Sequence, residues 1–303
     1  MAAIVIDDLR KSYGHLAAVD GLSFTVDEGE VFAVLGPNGA GKTTTVEILT
    51  GHRRRDSGHV DVLGYDPATG GRTYREEIGV VLQSAGFEEE FTVRELLQLQ
   101  ATFYPRVMDP DELVDIVGLA DKRTTRVKAL SGGQRRRLDL ALGLVGAPEL
   151  LFLDEPTTGF DPSARRQAWS LVSRLRDLGT TVLLTTHYMD EAQHLADRAA
   201  VVSHGRLVAL GRPEELGVGL GLRPVLEFRL PDGVTAGDVP VLGGDVAVAD
   251  HDVTVSTPCP LQDVHTLSGW ALERGLDLSG LTLTPPSLED VYLQLTGATG
   301  EQG

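Results

Sequence analysis

Along the first two thirds of the chain, four short apolar runs, VFAVLG, IGVVLQ, LLFLDE and TVLLTTH, alternate with longer stretches of helical period. Runs that are apolar at every position suit strands covered on both faces, and their alternation with helices predicts a mostly parallel sheet in an α/β fold. VDVLG reads as an antiparallel addition, as do AAVVS and RLVAL, which His204 and Gly205 join into a hairpin. After the helix-like RPEEL the chain enters the glycine cluster GVGLGLRP, which predicts a domain boundary. Beyond it, PVLEFRL, GDVAVA, DVTVS and LTLTP carry strand patterns, while PLQDVHTLSGWALERG and SLEDVYLQL carry helical ones. The expected organisation is a first domain over 1–216 and a small α+β accessory domain over 222–303. No internal repeat or low-complexity tract is visible, which sets solenoids aside.

The 303 residues are 42% hydrophobic and 23% charged, an ordinary globular mix that excludes a wholly disordered, collagen-like or coiled-coil chain. Net charge is -17, and from Leu222 onward 12 acidic residues face 3 basic ones, so the tail carries -9 of it. A molecule of this charge repels phosphate backbones and acidic lipid as a whole. Any phosphate site must therefore be local, and no nucleic-acid partner is expected. The single cysteine, Cys259, has no partner for an internal disulfide, which suits a reducing compartment. Acids within the first ten residues and the lack of a long apolar run there argue against a secretory leader. The best membrane candidate, LDLALGLVGA, is too short to span, so a membrane role requires a partner.

The strand VFAVL ends at Gly36, and Pro37, Asn38, Gly39, Ala40, Gly41, Lys42, Thr43 and Thr44 follow, matching G-x-x-x-x-G-K-[ST] with a helical stretch directly after. Glycines let backbone N–H groups turn inward around an anion, and the helix N-terminus adds partial positive charge. Lys42 would reach the terminal phosphates and Thr43 would place its hydroxyl on Mg²⁺. This combination predicts a nucleoside triphosphate site.

LLFLDEP fits a central strand from whose carboxyl end, where open α/β sheets bind ligands, Asp154 and Glu155 emerge. Asp154 is suited to the Mg²⁺ shell, and Glu155 to orienting or deprotonating an attacking water. An acidic pair also ends strands that merely return to solvent, but beside a phosphate loop hydrolysis is the better reading. A second anion cradle opens at Ser131, a favourable N-cap followed by Gly132, Gly133 and Gln134. Arg135, Arg136 and Arg137 then fall in the first turn, where the helix dipole disfavours cations, and they read as a solvated basic face. Two cradles with only one lysine-bearing site suggest that the second completes a nucleotide site on another copy of the chain.

Taken together, these residues resemble the ATP-binding cassette (ABC) ATPase family over 4–216. GPNGAGKTT resembles its Walker A, Gln83 in VVLQ its Q-loop, LSGGQ its signature, LLFLDEP its Walker B, TTGFDP its D-loop with Asp161, and TTH its switch histidine, His187. Phe160 stands where the D-loop usually has Leu, and Gly143 lowers helix propensity after the signature.

The resemblance implies a P-loop cassette in which two chains close head to tail around two ATP molecules. Walker A of one chain would then meet the signature of the other. It further implies that Tyr13 stacks on adenine, that Gln83 touches Mg²⁺ or the water, that His187 contacts the γ-phosphate, and that 84–129 forms a helical subdomain docking on a membrane permease. PPSLEDVYLQLTG resembles the C-terminal segment of ABC-2 exporters of the daunorubicin-resistance type.

The implied protein is an ATPase subunit, a homodimer or cassette pair, lying on the cytoplasmic face of the membrane through a permease of about six spanning helices. Its catalytic residues are Lys42, Glu155 and His187, and Thr43, Gln83 and Asp154 surround its metal. The rival is a soluble cassette working as a mechanical switch in translation or DNA maintenance. A single cassette, the lack of a long heptad insertion and the negative charge all oppose it.

Overall fold

The computed structural model describes residues 1–82, 86, 88–177, 179–219, 221–231, 233–278 and 280–296, the side chains of 218, 219 and 293–296 excepted. The chain divides into two compact units, Met1–Pro213 and Glu214–Gly303.

The first unit opens with two long strands, β1 (Ala2–Tyr13) and β2 (Leu16–Asp27). β3 (Val31–Leu35), α1 (Lys42–Leu49), β4 (Ser57–Val62), α2 (Gly71–Glu77) and β5 (Ile78–Val81) follow. Next come α3 (Val93–Ala101), α4 (Pro110–Ile116), α5 (Gly132–Leu144), β6 (Leu150–Asp154) and α6 (Pro162–Asp177). β7 (Thr181–Thr186), α7 (Met189–Leu195), β8 (Arg198–Ser203) and β9 (Arg206–Gly211) complete it.

Six strands form a sheet in the order β5-β6-β7-β3-β8-β9, parallel throughout except for the β8–β9 hairpin. β3, β6 and β7 are buried at every position, as their unbroken apolar sequences require. A second, antiparallel sheet has the order β2-β1-β4. The apolar faces of the two sheets share one core, in which Phe24 of β2 stacks on Phe32 of β3 with ring centroids 5.0 Å apart. Because β3, β6 and β7 are parallel and in register, with Leu35 opposite Thr186 and Asp154 opposite Thr185, their carboxyl ends open onto the same edge. The phosphate loop, the acidic pair and His187 leave the sheet side by side there.

The β8–β9 hairpin turns through His204 and Gly205, with φ of 49° and 76°, the left-handed pair of a tight two-residue turn. Gly205 is also a strut behind the phosphate loop. Its N–H donates to the Ala40 carbonyl at 3.1 Å, and its carbonyl accepts from the Asp20 N–H at 2.8 Å. A Cβ at this position would sit 2.8 Å from the Ala18 oxygen.

Within the stretch 84–129, α3 begins with a reciprocal cap between Thr92 and Glu95, and α4 is capped by Asp109 with Pro110 at its first position. Residues 84, 85 and 87 lie outside the described residues.

α8 (Pro213–Gly219) starts on the last residue of the first unit, and the second continues with β10 (Val225–Arg229), β11 (Asp245–Ala249), β12 (Asp252–Ser256), α9 (Pro260–Arg274), β13 (Thr282–Thr284) and α10 (Leu288–Thr296). α8 runs on into the glycine cluster, where Gly217 packs against Pro286. The four strands form an antiparallel sheet, β11-β12-β10-β13. α9 packs against it through Leu267, which joins Leu226, Phe228, Val253 and Val255 in a separate small core.

Candidate functional site

A cleft of about 610 Å³ opens at the carboxyl ends of β3 and β6. Asn38, Gly39, Gly41, Lys42, Thr43 and Thr44 line it on one side, and Glu155 and His187 on another. Tyr13, 40% exposed at the end of β1, lies at its rim with Leu16. α1 is entered through Gly41 at φ 99°, with no side chain capping the first turn. A Cβ at Gly41 would lie 2.2 Å from the Ala18 oxygen, so glycine is required both by the dihedral and by the close approach.

Lys42 is buried, and its Nζ donates to the carbonyls of Gly36 at 2.8 Å and Pro37 at 3.0 Å. It also lies 3.3 Å from Glu155 Oε1. Ala40 is buried behind the loop, its N–H donating to the Pro37 carbonyl at 3.2 Å. The Thr43 hydroxyl is 3.4 Å from Asp154 Oδ1, which also accepts a hydrogen bond from Thr185 at 2.5 Å.

Glu155 adopts a left-handed backbone, φ 47°, an unfavourable conformation for a side chain of this kind. Its N–H donates to the Thr185 hydroxyl at 3.0 Å, and its Oε2 accepts from Thr158 at 3.1 Å. His187 Nδ1 is 3.4 Å from Oε1 of the same carboxylate. Burial pushes the Glu155 pKa up, but the charge of Lys42, the Thr158 hydroxyl and His187 outweigh it and hold the group below its ordinary value. Glu155 therefore stands as a carboxylate between a lysine and an imidazole.

The signature residues are elsewhere. Ser131 caps α5 and forms a reciprocal box with Gln134: the Gln134 N–H donates to the serine hydroxyl at 3.3 Å, and the Ser131 N–H to the Gln134 side chain at 3.0 Å. Gly132 and Gly133 have open space where a side chain would be. None of the four lines the cleft. Asp161 also stands apart from it and accepts from the N–H groups of Ser163 and Ala164 at 2.8 and 2.9 Å, capping α6. Gln83 lies outside the described residues.

Residues 19–158 match the family profile described as ABC transporter, and residues 224–287 that described as ABC transporter domain-containing protein-like, C-terminal domain. The daunorubicin/doxorubicin resistance ATP-binding protein DrrA of Streptomyces peucetius is 42% identical over 97% of this chain and 92% of its own. The chain belongs to the ABC transporter ATP-binding family. The Nod factor export ATP-binding protein I of Rhizobium etli is 38% identical, covering 100% of this cassette protein and 96% of the relative. A solved ATP-binding cassette of an ABC transporter in its ADP conformation aligns with a TM-score of 0.63 and 26% identity, over 71% of this chain and 92% of that one.

Whether the cassette suits Mg²⁺ can be judged from its donors. Thr43 on the cleft wall and the buried Asp154 behind it offer a hydroxyl and a carboxylate 3.4 Å apart, an all-oxygen set of the kind a hard cation prefers. Among the described residues no group of three or more His, Cys, Asp or Glu could hold a metal alone. Two protein oxygens suit an ion that keeps waters and takes its remaining ligands from phosphate.

The arginine run is not the solvated face its sequence suggests. Arg136 has only 11% of its side chain exposed and threads under the acidic pair. Its guanidinium donates to the carbonyls of Leu82 at 2.6 Å, Asp154 at 3.1 Å, Pro156 at 3.1 Å and Glu155 at 3.3 Å. α5 begins at Gly132, so Arg136 is its fifth residue and lies just past the first turn, and these carbonyl dipoles supply its negative partner. Arg135 and Arg137 are more ordinary, bonding to the Lys128 and Gly118 carbonyls. Sequence reasoning also passed over Thr158 and Thr185, which hold the two carboxylates. Thr158 lies within TTGFDP and Thr185 two residues before His187, so each was within a recognised motif.

Proposed function

We propose that this protein is the ATP-hydrolysing subunit of an exporter, working as a cassette pair beneath a separate membrane permease. One observation carries the reading: a lysine-bearing anion cleft with its carboxylate and histidine is complete on one side, while the chain's second anion cradle faces elsewhere. A second cassette bringing its own Ser131–Gln134 segment would close the cleft. The family name supports this, as do full-length relatives named for drug resistance and Nod factor export. The same names weigh against the rival of a soluble switch in translation or DNA maintenance.

In this reading triphosphate oxygens compete with Glu155 for Lys42. As Lys42 turns to phosphate, the carboxylate loses its strongest charge partner and becomes a better proton acceptor for water. His187, whose Nδ1 lies 3.4 Å from the same carboxylate oxygen, would contact the γ-phosphate. Tyr13 would receive the base at the rim. Thr43, Asp154 and Gln83 would hold Mg²⁺, whose contribution when bound would be neutralisation of phosphate charge. Losing the γ-phosphate removes the bridge between cassettes, and the pair reopens.

Among the described residues no helix is long and apolar enough to cross a membrane. Phe91, Leu99 and Phe103, exposed within or flanking α3, are the apolar side chains this reading would set against the cytoplasmic side of a permease of about six spanning helices. The 222–303 segment serves as its accessory domain.

Glu155→Gln decides the reading: it is expected to keep ATP affinity, to lose about a hundredfold or more in turnover, and to accumulate as a dimer in Mg-ATP. Calorimetry, steady-state hydrolysis and light scattering measure the three, and wild-type turnover would refute Glu155 as the base.

A further inference from the structure

Arg136 joins segments that the proposed chemistry treats as separate. It sits on α5, whose N-terminus is the signature, yet its guanidinium ends beneath the exit of β6, where the carbonyls of Asp154, Glu155 and Pro156 converge. Its remaining bond goes to Leu82, the residue that follows β5 and precedes Gln83. Asp139, one turn further along α5, lies 3.7 Å from it and is the near countercharge. Four acceptors from two strand ends around one planar, five-donor group make a rigid clamp, which a lysine could not reproduce.

What the clamp holds is the peptide chain around Glu155. That residue is left-handed, and such a backbone persists only where its surroundings over-determine it. Thr185 fixes its N–H from one side, and Arg136 fixes its carbonyl and those of its two neighbours from the other. Released, the segment could relax towards an ordinary dihedral and carry the carboxylate off Lys42 and His187.

We propose that Arg136 is a positioning residue for ATP hydrolysis, holding the Glu155 backbone in its catalytic turn and tying the signature helix and Leu82, at the exit of β5, to it. Each chain would then carry a rigid link between the site it catalyses and the signature it lends to its partner. A cassette gripping its partner's nucleotide through α5 adjusts its own Glu155 through the same helix. This inference rests on the reading of Glu155 as the base.

The test uses the full-length chain and steady-state ATP hydrolysis, with ATP affinity by calorimetry and thermal unfolding alongside. Arg136→Met keeps the aliphatic stem and removes every donor. It is expected to lower kcat about tenfold to a hundredfold while KM and ATP affinity stay within about twofold. Arg136→Lys, able to reach only part of the carbonyl set, should fall between the two. Arg137→Met, which loses only the Gly118 bond, should stay within about twofold of wild type.

Unchanged kcat in Arg136→Met overturns the proposal, as does a loss of ATP affinity that matches the loss of rate. An equal loss in Arg137→Met overturns it too, because the effect would then belong to the helix at large. If Arg136→Met fails to fold, the decision passes to Arg136→Lys, and a wild-type kcat there is fatal. Glu155→Gln in the same assay keeps the two ideas apart: wild-type turnover in that variant refutes the base, whereas a dead Glu155→Gln beside a fully active Arg136→Met refutes only the clamp.

Discussion

Two helices in the first unit begin at glycine-rich, anion-attracting sequences, and they begin in opposite ways. α1 is entered through left-handed Gly41 with no side-chain cap, so its first N–H groups are held for whatever fills the cleft. α5 is entered through Ser131, whose reciprocal box with Gln134 ties up the N–H groups of those two residues. The first cradle is built open and backed by a buried lysine, while the second carries a side-chain cap of its own. A helix that must bind tightly leaves its donors bare and has neighbouring elements hold its shape. One that engages only intermittently can cap itself meanwhile, at the expense of exchanging those bonds on contact.

The contrast can be broken most severely at Gly41. Gly41→Ala drives a Cβ into the Ala18 carbonyl at a dihedral that alanine resists, and a loss of about 3 kcal/mol or more is expected in denaturant unfolding. A near-neutral result would mean that the open entry is not enforced. Lys42→Ala should weaken ATP binding about a hundredfold in calorimetry, because a buried cation aimed at phosphate has no substitute in the loop. Equal affinity would remove the distinction between the cradles.

On the α5 side, burial raises the Asp139 pKa to about 6 against the pull of Arg136. An acid raised in the folded state favours folding while protonated, so that stabilisation is present at low pH and fades as pH climbs from about 4 through about 6. Asp139→Asn should therefore gain on wild type by about 2 kcal/mol between pH 4 and pH 7, read from denaturation at each pH. A constant difference across that range would contradict it. The mildest change is Ser131→Ala, expected to remove about 1 kcal/mol of stability while single-chain ATP binding is untouched. A fall in affinity at low protein concentration would show that the signature serves its own chain's cleft.

Sequence patterning reached the parts of the fold whose signal is local. β3, β6 and β7 were plain because every residue in them is apolar, and the β8–β9 hairpin because His204-Gly205 sits between two strand patterns. β1 and β2 carry no clear strand pattern in the sequence. Their apolar positions are broken by acids and by register shifts near Asp8 and Arg10, so neither period shows cleanly. At the site, the motif residues of the phosphate loop and the β6 exit were legible because their spacing is itself the chemistry. Arg136 was misread for the reverse reason: its partners, Leu82 and residues 154–156, are distant in sequence and are backbone carbonyls, which have no side-chain signature.

The strut at Gly205 has one further consequence. A fragment ending before β8 would contain all of GPNGAGKTT and the strand and helix that flank it, yet it would lack the amide that braces Ala40 from behind. Possessing the motif and possessing a working pocket are thus separable in this protein, and truncations guided by the motif alone would keep the first and forfeit the second.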